Sequence, residues 1–255
     1  MTLIIGSASL AGGRKQQDAV RWRYVTSGEH PEDRYVAAVV CDGVGSGEDS
    51  GPIANTVAAV AVNAVAEYGA YLPELALHTA RETAVDLHPE AGGNDNTCTV
   101  AAGVDEAGNV EGAWIGDCRA SLLTRGGKYL RMSRDHNRGG RFRHILTRVL
   151  IPENGYRPET GDEHTPETFR YDATAAYGFQ AARVLLTSDG VHDVLTDDQI
   201  RWVLLNVADP DRAARKLTEW AVRGVEARQK VQPDPYFRGA DNATAIVVDV
   251  RPPKD

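Results

Sequence analysis

Cysteine is scarce in this sequence: Cys41, Cys98 and Cys118 are the three thiols among 255 residues. An odd, scattered set implies no disulfide framework, and without a Cys-x-x-Cys pair there is no zinc-site signature. No uncharged apolar run approaches the length needed to span a bilayer. The amino terminus lacks a basic segment followed by an apolar stretch, so no signal peptide is expected. Lysine is rare as well, with arginine supplying 23 of the 28 basic residues. The formal net charge of -8 argues against a general nucleic-acid or anionic-membrane binder. Internal repeats and low-complexity linkers are also missing. These gaps predict a soluble, reduced, cytoplasmic chain with no nucleic-acid or membrane partner, and the chain is taken as a monomer although no feature of the sequence fixes its oligomeric state.

A hydrophobic share of 42% with 25% charged residues is ordinary for a globular chain, and the length suffices for one sizeable core. No domain boundary is drawn, so residues 1–255 are read as a single domain. Thr2 to Ser9 and Ala19 to Ser27 read as strands, and the loop 28–33 joins the second to an apolar run from Tyr35 in a hairpin. Gly51 to Tyr68 places Ile53, Val57, Val60, Ala61 and Ala64 on one face and predicts an amphipathic helix, with Glu48, Asp49 and Ser50 suited to its start. A second helix is predicted from Leu72 to Leu87. Strands follow at Thr97 to Val104, Val110 to Asp117, Ala120 to Thr124 and Lys128 to Met132, linked by glycine-bearing turns that predict an antiparallel meander. One helical turn is expected across Phe142 to Val149, and a short strand at Thr168 to Asp172. A buried strand at Arg183 to Ser188 precedes helical stretches at Val191 to Leu195, Asp197 to Asn206 and Asp209 to Arg228. Ala243 to Val250 closes the chain as a strand. Strands in runs and helices in pairs favour α+β, with two antiparallel sheets layered between helices.

Four acids recur in one setting. The buried run Tyr35 to Val40 leads to Asp42 followed by Gly43, and similar placements occur at Gly116-Asp117, Ser188-Asp189-Gly190 and Asp241-Asn242. An acid beside glycine at a strand end suits a metal, because the carboxylate can bind an ion and a backbone without Cβ can bring its carbonyl close. Taken singly, each acid is more simply a cap on a strand or helix. If the four converge, they cannot all stay ionised without compensation, so either their pKa values rise or cations enter. Only Arg119 and Arg238 lie beside these acids in sequence. Oxygen ligands alone select hard ions, Mg²⁺ or Mn²⁺. Two such ions about 3.5–4 Å apart can clamp a phosphoryl group for in-line attack, which suits phosphate-ester hydrolysis.

Competing readings of the same residues are weaker. The glycines at 43–47 lack Gly-Lys-Ser/Thr, and Asp42 would meet a nucleotide pyrophosphate with like charge. A thiolate-dependent phosphatase needs arginine shortly after its cysteine, and none of the three has one six residues on. Cys41 reads as core, His192 as a packed or surface residue, and His136 as a turn residue.

The ordered blocks KQQDA (15–19), CDGVGSG (41–47), NTCTVAA (96–102), GDCRA (116–120), SRDHN (133–137), LTRVL (146–150), LLTSDGVHDVL (185–195) and DNATAIVV (241–248) resemble the motifs of metal-dependent protein phosphatases, the type 2C or PPM family, in its bacterial form. The resemblance spans nearly the whole chain. It implies a β-sandwich of two antiparallel sheets flanked by helices, in four αββα layers. It implies two catalytic Mn²⁺ or Mg²⁺ ions held by Asp42, the Gly43 carbonyl, Asp189 and Asp241, with a third near Asp117. Asp18 matches an acid that orients metal-bound waters, and Arg14 is assigned the phosphate-binding role although the family's arginine lies one residue further upstream.

The implied reaction is hydrolysis of phosphoserine and phosphothreonine in proteins by metal-activated water, without a covalent enzyme intermediate. An opposing kinase would supply the substrate. Departures from the pattern are Gln17 in place of glutamate, Val44 in place of the histidine of eukaryotic relatives, and Ser46 in place of glycine. Residues 137–166 correspond to a variable flap whose arginines, Arg138, Arg141, Arg143 and Arg148, read as a solvated face that could attract phosphorylated substrates. Gln17 and the displaced Arg14 leave a second implication open, a phosphatase-fold binding or regulatory protein with little turnover.

Overall fold

The computed structural model describes residues 2–12, 15–26, 34–45, 48–68, 72–89, 95–138, 145–151, 164–173, 181–231 and 240–252. Strand β3 (Arg34–Gly45) sets the layering because both of its faces are apolar. Tyr35, Ala37, Val39 and Cys41 enter one core, and Val36, Ala38 and Val40 enter another. A strand buried on both faces needs a layer on each side. Its sheet also contains β2 (Ala19–Thr26), β4 (Asp95–Asp105), β5 (Val110–Ile115) and β8 (Glu167–Tyr171), in the order β2-β3-β4-β5-β8. The second sheet, ordered β1-β10-β9-β6-β7, comprises β1 (Thr2–Leu10), β6 (Arg119–Thr124), β7 (Tyr129–Arg131), β9 (Ala181–Thr187) and β10 (Ala243–Arg251). Every pairing in both sheets is antiparallel.

Helices α1 (Ser50–Tyr68) and α2 (Pro73–Leu87) cover the outer face of the first sheet. Ala54, Ala58 and Ala61 of α1 are fully buried, and such small side chains let the helix approach the strands closely. Helices α3 (Asp189–His192), α4 (Asp197–Asn206) and α5 (Pro210–Val231) cover the second sheet. Between the sheets lie Val36, Val100, Leu122, Val184 and Ile246. This is the expected α+β sandwich, with helices outside both sheets.

Four local expectations change. The meander does not form: β4 pairs with β5 and β6 with β7, but β5 and β6 belong to different sheets, so Gly116-Asp117 is a crossing between layers rather than a hairpin turn. β3 does not stop at Asp42 but runs to Gly45, so that acid lies within a strand. The start of α1 is held from outside the helix, where Ser50 donates to Asp95 Oδ1 through both N–H (3.1 Å) and Oγ (2.6 Å). Residues 145–149 are not helical; they dock through an isolated bridge between Asn137 and Leu146. The rest of that expected turn, like the 28–33 hairpin loop, lies outside the described residues.

A buried cation fastens the second sheet to its helices. Arg183 faces Asp249 at 2.8 Å and donates to the carbonyls of Leu204 (2.8 Å), Val207 (2.6 Å) and Ala208 (2.7 Å). Removing it would leave a buried carboxylate and three carbonyls short of a donor, although Arg251 also reaches Asp249. Arg183→Ala is therefore expected to cost about 3 kcal/mol, read as a lower urea midpoint at unchanged m-value. A loss within 0.5 kcal/mol, roughly the scatter of an ordinary surface change, would contradict this role.

Candidate active site

Asp42 and Gly43 lie at the end of β3 nearest the crossing between the sheets, where Gly43 is pressed against two other segments. A Cβ there would fall 2.7 Å from the Gln17 carbonyl oxygen and 2.9 Å from that of Ser50, so no side chain fits. Thr97 Oγ1 donates to the Asp42 carbonyl at 2.9 Å and fixes the acid's backbone. Ser188, between β9 and α3, joins three elements: its Oγ donates to Asp18 Oδ2 at 2.7 Å and accepts from Thr244 N at 3.1 Å, and its own N–H donates to the Thr244 carbonyl at 3.1 Å. The next residue, Asp189, opens α3. Asp241 precedes β10 and stands exposed at the rim, its Oδ1 accepting from Asn242 N at 3.0 Å.

The charges of these acids bear on one another. Asp42 is pushed well above the usual carboxylate range by burial first, then by Asp18, Asp189 and Asp117. Asp189 is pushed well up by burial, then by Asp117 and Asp241. Both are partly exposed, yet dense packing and like charge still favour their neutral forms. Asp18 is raised to about 7, chiefly by burial and against the hydrogen bonds from Thr244 and Ser188. Asp117 is raised to about 6, chiefly by burial and partly by Asp135 and Asp193. Asp18, Asp42, Asp117, Asp189 and Asp241 thus form one electrostatically connected ring of acids. Among the described residues no three acid, imidazole or thiol groups already close on a single point, so the ring is not a finished cage.

No basic side chain described here neutralises the ring. Arg119, next to Asp117 in sequence, turns away and grips Asp135 through both its Nε (2.6 Å) and its Nη2. Lys15 Nζ donates to the Glu48 carbonyl at 3.2 Å. Asp18 Oδ1 and Asn242 Oδ1 are buried acceptors with no hydrogen-bond partner. Crowded carboxylates, an orphaned acceptor and a backbone stripped of Cβ at Gly43 fit hard divalent cations with oxygen ligands. Val44, whose alkyl side chain has no proton to donate, is partly buried against the core between the sheets. Arg14, Ser46, Arg141, Arg143 and Arg238 lie outside the described residues.

Three residues at the site escaped the reading of the sequence. Ser188 is a tether rather than a spacer. Asp193 bears on Asp117, and its only sequence signal is the acid that closes Ser-Asp-Gly-x-x-Asp. His136 is a buried strut rather than a turn residue: Gly116 N donates to its Nδ1 at 3.1 Å, and its own N–H donates to the Gly116 carbonyl at 2.9 Å. Burial holds the ring's pKa below its ordinary value. His192 is packed, as expected, with Nδ1 2.8 Å from Thr187 Oγ1.

The family described as Protein phosphatase 2C matches residues 5–223, a stretch that ends before Asp241. No curated protein is significantly similar to the chain in sequence. Among solved structures, the serine/threonine phosphatase PstP/Ppp of Mycobacterium tuberculosis is 21% identical with a TM-score of 0.71, over 98% of this chain and 100% of that one. The serine/threonine phosphatase of S. agalactiae is 17% identical with a TM-score of 0.72, over 98% of this chain and 100% of that one. The catalytic domain of PstP in complex with two manganese ions is 21% identical with a TM-score of 0.65, over 97% of this chain and 99% of that one.

Proposed function

The chain belongs to the protein phosphatase 2C family of hydrolases, and on that premise we propose that it is a metal-dependent phosphatase of phosphoserine and phosphothreonine in proteins. The observation that supports this reading best is the ring of mutually repelling acids with no described basic side chain to balance it. Asp42, the Gly43 carbonyl, Asp189 and Asp241 would hold two Mn²⁺ or Mg²⁺ ions, and Asp117 would contribute to a third. When bound, such ions supply positive charge against the phosphoryl oxygens and Lewis acidity toward water.

The chain's own groups do the rest. Asp18, anchored by Ser188, keeps its free Oδ1 available to accept a proton or a water hydrogen bond at the edge of the ring. Arg14 is assigned to the phosphate. The partly exposed Asp42 and Asp189 and the exposed Asp241 leave the ring open, so a phosphorylated side chain on another protein can reach it. The substrate is then the product of an opposing kinase. We further assign one domain over 1–255, with a flap at 137–166, in a cytoplasmic monomer that binds neither nucleic acid nor membrane. No described helix is long and apolar enough to cross a bilayer.

A phosphothreonine peptide and p-nitrophenyl phosphate, each assayed with Mn²⁺ and with EDTA, test this reading. Hydrolysis that appears with Mn²⁺ and disappears with EDTA is the expected result. Gln17 and the displaced Arg14 favour the alternative, a phosphatase-fold regulator, and Mn²⁺ binding with no turnover of either substrate would select it.

A further inference from the structure

We infer that His136 is a positioning residue that sets Asp117 by holding both backbone groups of Gly116, an inference that rests on the metal-centre reading above. Asp117 lies in the crossing from β5 to β6, between the last ladder partner Ile115 and the first, Arg119, so no sheet register fixes it. The residue before it takes a left-handed φ of +90°, and a Cβ on Gly116 would fall 2.1 Å from Cys98 Sγ. Its N–H and carbonyl are buried and need partners. His136 supplies both, with the ring Nδ1 accepting and the backbone N–H donating.

An acceptor at Nδ1 places the ring proton on Nε2, which faces Glu167 Oε1 at 3.1 Å. The ring also stacks on Trp114, with centroids 5.6 Å apart and planes 20° from parallel. Trp114 Nε1 in turn donates to the Arg134 carbonyl at 2.8 Å, and Arg119 grips Asp135. The ring is therefore held by Gly116 at Nδ1 and by Trp114 against its face. Glu167 is shared with Arg148 at 2.7 Å, which joins the segment 145–151 to the same strut. A supporting group behind a ligand can set metal affinity without touching the metal.

Asparagine and glutamine separate this role from general support of the fold. In His136→Asn the side-chain oxygen stands near the Nδ1 position and can still accept from Gly116. In His136→Gln the polar end lies near Nε2 and leaves that N–H without its acceptor. Mn²⁺ titration of purified protein, followed by the electron paramagnetic resonance of free Mn²⁺, reads the site directly, with Asp117→Ala as the reference for its loss. Amide exchange at Gly116 and Asp117 in metal-free protein is a second readout.

His136→Gln is expected to weaken the Asp117-dependent Mn²⁺ site by about tenfold to a hundredfold and to speed exchange at Gly116. His136→Asn should stay within about threefold of wild type, because the acceptor to Gly116 is kept. Equal binding in both variants, or equal loss in both, overturns the inference while wild-type binding remains intact. Wild-type protein with no Mn²⁺ site sensitive to Asp117→Ala overturns the metal reading itself and this inference with it.

Discussion

Asp189→Asn is expected to lower metal-stimulated kcat/KM by roughly a thousandfold or more, about 4 kcal/mol of transition-state stabilisation, while raising the melting temperature of the metal-free protein. The two effects have one cause. Asp189 is raised well above the ordinary range by burial, Asp117 and Asp241, so without a counter-charge it strains the fold that holds it. The amide keeps the shape and removes the charge, and with it the attraction for a cation. Relief of such strain is worth on the order of 1 kcal/mol, about 2–4 °C in Tm for a chain of this size. Mn²⁺-dependent peptide hydrolysis and calorimetry in EDTA measure the two sides. Wild-type turnover would remove Asp189 from the chemistry, and a lower Tm in EDTA would make its carboxylate a fold-supporting group instead.

The second large effect is a change in the sign of the pH dependence when metal is added. Asp18 and Asp117 are raised to about 7 and about 6 in the folded chain, both chiefly by burial. An unfolded aspartate titrates near 3.9, about the model-peptide value. Between these values the folded state binds more protons than the unfolded one at these two sites, so their contribution to stability is fully present below about pH 4 and falls as pH rises toward about 7. Metal binding requires the deprotonated carboxylates and runs the other way.

In EDTA, Tm should therefore fall between pH 5 and pH 7.5. Mn²⁺ at about 100 times its Kd should add about 2.7 kcal/mol at pH 7.5, about 5–10 °C, and far less at pH 5. A Mn²⁺ increment that is the same at both values, or none at either, would contradict acids that trade protons for cations.

Much of this architecture is written in local pattern. β3, β4, β9 and β10 are apolar runs because they are buried on both faces, and such runs are legible without knowing their partners. α1 and α5 declare themselves by the spacing of their apolar residues, although the capping of α1 by Asp95 does not, since that acid is 45 residues away in sequence. Sheet membership is likewise not local. Glycine at 116 reads equally well as a hairpin turn or a crossing between layers, and its positive φ serves either; only the packing of Cys98 and His136 against it decides.

The site divides in the same way. Asp117, Asp189 and Asp241 flank buried strands and Asp42 lies near the end of one, so each could be found by that placement, but the sequence shows neither the orphaned Oδ1 of Asp18 nor the tether from Ser188, 170 residues away. Arg119 lies beside Asp117 in sequence, yet its side chain is committed to Asp135, a pairing that sequence proximity does not show.

A crystal soaked in manganese and measured at the manganese absorption edge tests the central claim most directly. The account predicts two anomalous peaks between Asp42, Asp189 and Asp241, one of them within reach of the Gly43 carbonyl. A weaker peak beside Asp117 is the expected third. Manganese bound only elsewhere on the protein, with these carboxylates free of it, would contradict the account.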